Sequence, residues 1–500
     1  MTTTARLARV ADVRRPLGRA VVLGPTAALV GFSLAVFGQH SVTYALLLAL
    51  GAAFVFLVVG RGPMWCLGCL VFLAVLGWAP TLVSFGVIDL TPLDVFYVAL
   101  VVALVPVLLG RAAPPAAPRV DLGQRAIWVF VLFLGIGILG IYRRDPGSAG
   151  GSFVSWIRLV QTLTLTAFIP AVVRTRSQLT SLVKLAAVAG SLSVVLAVSN
   201  LTRPADVVAG LERAGTFLGP NAVGLVSAFL ILLALHSPVP SARWRRGLVV
   251  AVGVVGLVAS KSIGSFIAIA VVLTIGGFAS KARPDVVREQ RLLPVVLRTL
   301  AVAVAVIDLA IVLRPESVPG QVEFRSSSTM HRVLVGAAGL EIFKQHPIVG
   351  VGWQQSSNPE YISDPEVNRA LRSRFPDAHP RLFPDVSATS VHNFYIQVLA
   401  EAGIVGFALL LWALVVAFAR TRRLVRDQVG DPWAYQQARF LGLSLLLVVV
   451  WFNENPLFGG QLPTNLVVIS LGLALALARM RGEDGQRLGS GSDRADQPVA

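Results

Sequence analysis

His392-Asn393 opens a segment that continues through Glu401 and then becomes bare hydrocarbon from Phe407 to Phe418. An imidazole, with an ordinary pKa of about 6.5, can take a proton from a hydroxyl near neutral pH. Ionisable groups beside a membrane-length apolar run are costly and are functional candidates by default. Cations stand apart from it in sequence: Arg213, Lys261 in the turn Ala259-Ser260-Lys261-Ser262-Ile263-Gly264, and Arg332 after Ser328-Thr329-Met330-His331. Fixed cations stabilise a transition state in which negative charge grows on a leaving group. Together these types suit group transfer to a hydroxyl. Each residue also has a plainer reading. Lys261 can simply keep a short turn wet, and Arg332 can sit on a solvated helix face. His392 can cap an interfacial helix with Ser390 or Asn393 beside it. Glu401 follows His392 by nine residues, so an ideal helix projects the two from opposite faces. Glu401 therefore reads as a carboxylate that packs the helix or supports its neighbours, not as an acid–base partner.

The elements that must position these groups are membrane helices. Of the 500 residues 55% are hydrophobic and 14% charged, with mean hydropathy +0.73; a soluble chain carries about 25% charged residues. Apolar runs of bilayer-spanning length recur without the alternation that an outer-membrane barrel needs. The expected class is all-α: a polytopic helical membrane protein with about 12–14 transmembrane helices and one large extracytoplasmic loop. The net charge of +17 is not read as a nucleic-acid footprint, because its distribution has a membrane explanation. Cys66 and Cys69 lie inside an apolar run and read as core-filling residues in preference to a redox pair.

Spans are expected near 20–38, 42–60, 64–82, 93–110, 126–141, 153–173, 179–200, 219–236, 247–260, 262–280, 294–313, 392–418, 436–452 and 461–480. The Arg-rich start, residues 6–19, leads into the first of these without a cleavage-site pattern. With the N-terminus in the cytoplasm, Arg-rich segments such as 6–19, 243–246, 281–291, 420–426 and 479–494 all fall inside. The short outside loops keep only Arg143, Arg144, Arg203, Arg213 and Lys261. That asymmetry follows the positive-inside rule and puts both termini inside. The domain reading is a basic cytoplasmic N-terminus at 1–19 and a helix bundle at 20–313. A loop with short helices follows at 314–391, then C-terminal spans at 392–480 and a disordered cytoplasmic tail at 481–500.

The 314–391 loop holds eight Lys/Arg and eight Asp/Glu, so it is near neutral. Val333 to Lys344 has helical spacing, and Pro347 stops it. Gly350-Val351-Gly352-Trp353 permits a tight turn where the backbone can approach another segment closely. Residues 354–391 are polar and Pro-rich and could form a lid. Asp364, Glu366 and Asp377 are too scattered to suggest a metal site.

Three ordered pieces resemble the O-antigen ligase/polymerase family of bacterial membrane proteins. They are Arg213-Ala214-Gly215-Thr216-Phe217-Leu218-Gly219-Pro220-Asn221, Arg332 with the helix leading to His346-Pro347-Ile348-Val349-Gly350-Val351-Gly352, and His392-Asn393 running to Glu401-Ala402-Gly403-Ile404-Val405-Gly406. The resemblance covers roughly 200–418, and the many-span layout extends it. It implies transfer of a glycan from a polyprenyl-diphosphate carrier to an acceptor hydroxyl at the outer face of the cytoplasmic membrane. Carried over, Arg332 is a catalytic and diphosphate-binding arginine and His392 the catalytic base. Lys261 and Arg213 complete the diphosphate set, with Asn393, Glu401 and Asn221 in support. Where the family often has Ser-Arg, this chain has Ser260-Lys261; lysine keeps the charge and loses the bidentate fork.

The expected activity is a glycosyltransferase needing neither metal nor cofactor, inverting the anomeric carbon because one direct displacement needs no enzyme nucleophile. Its partners are the lipid-linked donor, an acceptor that is a glycan, a wall polymer or a protein, and the bilayer, with no nucleic acid. The rival is a small-anion or solute transporter using Lys261, Arg332 and Asp308. Against it, the ionisable residues gather at one side instead of the midplane, where transporter sites lie; mid-span Asp308 is the exception and could instead bond a neighbouring helix.

Overall fold

The computed structural model describes residues 60–77, 83–85, 88–108, 123–200, 219–280, 322–380, 383, 391, 393–452 and 461–492. The chain divides into two units, residues 1–73 with 79–117, and 74–78 with 118–500. Helix α1 (Pro63–Leu76) leads to a small antiparallel hairpin, β1 (Val83–Phe85) with β2 (Ile88–Leu90), in which Ser84 stands opposite Asp89. Helix α2 (Pro92–Leu108) follows. The run expected at 64–82 thus stops at Leu76, and Gly77 turns the chain at φ 74°.

The second unit is built from helices α3 (Gln124–Arg144), α4 (Pro146–Val172), α5 (Arg176–Asn200), α6 (Gly219–His236), α7 (Arg243–Ser260) and α8 (Ile263–Ser280). Then come α9 (Val322–Gln345), two short helices α10 (Pro359–Ile362) and α11 (Pro365–Arg374), and the long α12 (Phe394–Asp427), α13 (Pro432–Trp451) and α14 (Gln461–Ser492). Among the described residues seven helices are long and apolar enough to cross a membrane. The chain is a multi-pass helical membrane protein. The expected spans at 20–38 and 294–313, and all but the last residue of 42–60, lie outside the described residues. The pair expected at 247–260 and 262–280 forms two helices, α7 and α8, joined by Lys261-Ser262. The expected disordered tail differs at its start: α14 runs on to Ser492, since extending an existing helix adds a hydrogen bond per residue without a new nucleus.

The helix boundaries have local causes. Gly123, at φ 94°, starts α3. The Asp145 carboxylate accepts from Gly147 N (3.0 Å) and Pro146 occupies the first turn of α4, where its missing N–H costs nothing. Ala126, Phe130, Leu134, Ile138 and Ile141 bury one face of α3, while Leu132, Ile136 and Leu139 are exposed on the other. In a membrane protein that exposed apolar face is the lipid face. Helix α3 packs on α4 and α12, α14 on α4 and α13, and α6 on α5, α7, α8 and α13.

Small residues bring α6 and α7 together. A Cβ added at Gly253 would lie 2.9 Å from Ser227 O, and one at Gly256 2.4 Å from Ser227 Oγ and 2.5 Å from Val194 Cγ1. In lipid, helix association depends on such close backbone approach. The contrast with Gly247, which has open space around it, gives a test. Gly256→Ala should lower the midpoint of thermal unfolding in detergent by the equivalent of about 1–3 kcal/mol, the usual cost of overpacking. Gly247→Ala should leave it unchanged or raise it slightly.

Candidate functional site

The polar loop is fastened to α12 through backbone. Gly403 has φ 63° and ψ −167°, which breaks the helix. Across the break, Ile404 N donates to Pro347 O (2.9 Å) and Val405 N to Ile348 O (3.2 Å). On the near side, Val351 N donates to Ala400 O (3.0 Å) and Gly352 N to Glu401 O (2.9 Å). The two segments touch so closely that a Cβ on Gly350 would sit 2.3 Å from Glu401 C, and one on Gly403 2.3 Å from Ile348 O. Both glycines also have positive φ. This is the close approach that Gly350-Val351-Gly352 permits, and its partner is the Ala400–Val405 segment.

Glu401 locks the same junction with its side chain. Its carboxylate, 1% exposed, accepts from Gln354 N (2.9 Å), Ser356 Oγ (2.6 Å) and Gln397 Nε2 (3.1 Å). Gln354 is held at φ 63° to present its N–H. Next to it the buried Trp353 gives its carbonyl to Ser152 Oγ (2.7 Å) on α4, and Gln355 Nε2 donates to the same hydroxyl (2.8 Å). Glu401 therefore anchors the start of the 354–380 segment to the bundle. That segment has its own caps. Asp364 accepts from Glu366 N and Val367 N at the start of α11 and from Gln345 Nε2 (3.3 Å) at the end of α9. The Val367 N–H above all holds the Asp364 carboxyl below its usual pKa.

Arg332 lies on α9, on the face that meets the start of α12. Arg332, Gly336 and Gly339 repeat at helical spacing and share that face. A Cβ on Gly336 would lie 3.6 Å from Ile396 Cδ1, and one on Gly339 2.8 Å from Ile396 Cγ2 and 3.1 Å from Val391 Cγ2. The contacts thus bracket residue 392 in sequence. Asn393 caps α12, its Oδ1 accepting from Tyr395 N (3.0 Å) and Ile396 N (3.1 Å). His392 itself lies outside the described residues, as does Arg213.

The Lys261 turn reaches the same end of the bundle through Ser265. Lys261 is exposed and adopts the left-handed conformation (φ 49°, ψ 34°) between α7 and α8. The buried Ser265 Oγ accepts from Trp451 Nε1 (3.1 Å) and lies 2.9 Å from Ser262 Oγ. It also approaches the carbonyl of Asn221 at 3.4 Å, at the start of α6. One residue past Trp451, the Phe452 carbonyl accepts from Phe394 N (3.0 Å). A continuous path of bonds therefore leads from the Lys261 turn and Asn221 to Asn393. Sequence reasoning missed Ser265 and Trp451, and nothing in their local pattern marks them.

Behind Phe394 and Phe452 lies an apolar cavity of about 120 Å³ between α3, α4, α12, α13 and α14, lined by Phe130, Leu163, Leu410 and Val468 among others. A cavity of similar size holds benzene, so this one has room for a short piece of hydrocarbon.

The donors that converge on Glu401 generate a prediction. Glu401→Ala leaves the Ser356, Gln397 and Gln354 donors without their acceptor, at a cost of about 1–3 kcal/mol for each group left unsatisfied. The variant should unfold at markedly lower temperature, and limited proteolysis should open the 354–380 segment first. Glu401→Gln, which keeps one acceptor oxygen, should fall between Ala and wild type. Equal stability of Ala and wild type would show that the clasp does not depend on this carboxylate.

No curated protein matches this chain. The family model described as O-antigen ligase matches residues 248–411. The match runs from within α7 to the first turns of α12 beyond Gly403, and so contains Lys261, Arg332, the clasp, His392, Asn393 and Glu401; Arg213 and Asn221 precede it. Residues 248–411 are thus similar to the O-antigen ligase family, within a polytopic helical membrane protein.

Proposed function

We propose that the protein transfers a glycan from a polyprenyl-diphosphate carrier to an acceptor hydroxyl at the outer face of the cytoplasmic membrane, as a step in surface polysaccharide biosynthesis. The observation that carries this reading is the meeting of the family domain with one end of the bundle. There the Lys261 turn, the Arg332 face of α9 and the residues flanking His392 are joined by the Ser265, Phe452 and Gly339 contacts. In the proposed step His392 takes the proton of the acceptor hydroxyl. The oxygen attacks the anomeric carbon, and the carbon–oxygen bond to the diphosphate breaks with inversion. The bonding pair leaves on the diphosphate, whose growing charge Arg332 and Lys261 stabilise, with Arg213 as a third cation. No enzyme nucleophile and no metal are required by this balance. The cavity behind Phe394 and Phe452 supports the lipid half of the donor, since it offers hydrocarbon next to the charged end.

Transfer from a purified polyprenyl-diphosphate glycan to a cell-envelope acceptor extract tests the reading. His392→Ala and Arg332→Ala should each lower transfer at least a hundredfold, within the range ascribed to a general base or a charge-stabilising group, with the protein still inserted and folded. Retained transfer in both variants would falsify the site assignment. A ladder of product lengths would mark a polymerase and a single addition a ligase. Lys261 allows a sharper separation of charge from fold. Lys261→Gly relieves a left-handed backbone that costs lysine roughly 1 kcal/mol, so thermal stability should hold or rise while transfer falls. Lys261→Arg should keep most of the transfer.

A further inference from the structure

We infer that the turn Pro347-Ile348-Val349 is a membrane-inserted wedge: although it belongs to the polar loop by sequence, its side chains sit in the lipid of the bilayer. This rests on the chain being a membrane protein and not on glycan transfer. Ile348 is 65% and Val349 59% exposed, and Pro347 beside them is exposed as well. A soluble loop has no reason to hold three consecutive apolar residues out in water next to Gly350, which is buried.

The neighbours identify what covers them. The carbonyls of Pro347 and Ile348 are bonded to Ile404 N and Val405 N, so the turn lies directly against α12 just past its break. Ile404 and Val405 are themselves 50% and 38% exposed. From there exposed apolar residues continue along one side of α12 at Ala408, Leu411, Trp412 and Val415, with helical spacing. That stripe is the lipid face of a span. The wedge extends the stripe without a polar interruption, so the occupant continuous with it is the bilayer itself. The backbone agrees: the two carbonyls that would otherwise face hydrocarbon are satisfied by α12, and Gly350 N closes the turn on His346 O (3.2 Å). The charged pair Lys344 with Glu341 (2.7 Å) lies on α9 before the turn, where a water-facing boundary is expected. A wedge of this kind fixes the height of the loop against the membrane. Through the clasp it also fixes the height of Arg332 and the 391–396 segment.

Site-directed spin labelling in phosphatidylethanolamine–phosphatidylglycerol vesicles tests this. In a background of Cys66→Ala and Cys69→Ala, a label at Val349→Cys should collide with oxygen several-fold more readily than with a water-soluble nickel chelate. It should match a label at Val415→Cys on α12 and differ from one at Glu366→Cys on α11. Nickel-dominated collision at 349 would overturn the wedge in favour of a hydrated loop. Low collision with both would overturn it in favour of a protein contact, including a second copy of this chain. If the cysteine-free background does not fold, benzophenone-phenylalanine placed at 349 in the native chain gives the same decision. Light-induced adducts to lipid support the wedge, whereas adducts to protein alone, or none, reject it.

Discussion

The break in α12 at Gly403 is the constraint on which the rest of the site depends. An uninterrupted helix would bond its amides to its own carbonyls and offer nothing to the loop. By turning the backbone out of helical geometry at φ 63°, Gly403 lets Ile404 N and Val405 N bond Pro347 O and Ile348 O, and lets the Ala400 and Glu401 carbonyls accept from Val351 N and Gly352 N. Each side of the clasp thus satisfies backbone groups that the other leaves open, which matters most where water is scarce. The two glycines are needed for space as well as conformation, because a methyl on either would stand 2.3 Å from the opposite backbone. Once the clasp closes, the register between α9 and α12 is set. Gly336 and Gly339 then meet Ile396, and Arg332 falls one turn away on the same face.

The buried polar groups divide between two fasteners of different kind. Glu401 is a charge-capable group inside the protein with several donors around it, and it holds loop to helix. Ser265 is a single neutral hydroxyl at the crossing of α6, α8 and α13. Space there is so tight that a Cβ on Gly224 would stand 2.5 Å from its Oγ. A serine can occupy such a crossing because it accepts from Trp451 while keeping one proton to donate. A larger polar side chain would force α6 away, and an alanine would leave the indole N–H unpaired in hydrocarbon surroundings. Helix positions at this end of the bundle are therefore fixed by small residues and by a few bonds, as expected where lipid gives helices no hydrophobic reason to associate.

Much of the fold was legible in the sequence because the bilayer imposes it. A run long enough to span hydrocarbon must be helical, and α3 to α8 and α12 to α14 fall close to the apolar runs that announce them. The Lys261 turn was legible because a lone lysine interrupts such a run. The start of α9 was less so: Arg325-Ser326-Ser327-Ser328-Thr329 looks like loop, yet the helix begins at Val322, well before the apolar periodicity at Val333. Propagation of an established helix overrides weak local preference. The clasp was half legible. Gly350-Val351-Gly352 signalled a close approach, but its partner is some fifty residues away in sequence, and spacing cannot name a tertiary contact. Glu401 was read as facing away from His392, and periodicity gave no hint of Gln354 or Ser356 as its partners.

Lysine in place of a forked arginine at position 261 calls for another source of phosphate affinity on the proposed reading, and the helix directions supply one. Three helices begin at this end: α6 at Gly219, α8 at Ile263 and α12 at Phe394. The Ser265 and Phe452 bonds draw those beginnings together. A helix start carries partial positive charge from its unpaired amides, and several aligned starts add their fields in a region that water does not fully screen. Asn393 occupies two amides of α12, Ser262 O accepts from Ser265 N (3.1 Å) and Phe266 N (3.2 Å) at the start of α8, and the Lys261 turn leads directly into that start. On the proposed reading, a point charge on a flexible stem suffices where helix-start dipoles also face the diphosphate. On that reading the lysine at the turn adds its charge to the positive ends of the helices that begin beside it, and charge, not fork geometry, is what position 261 contributes.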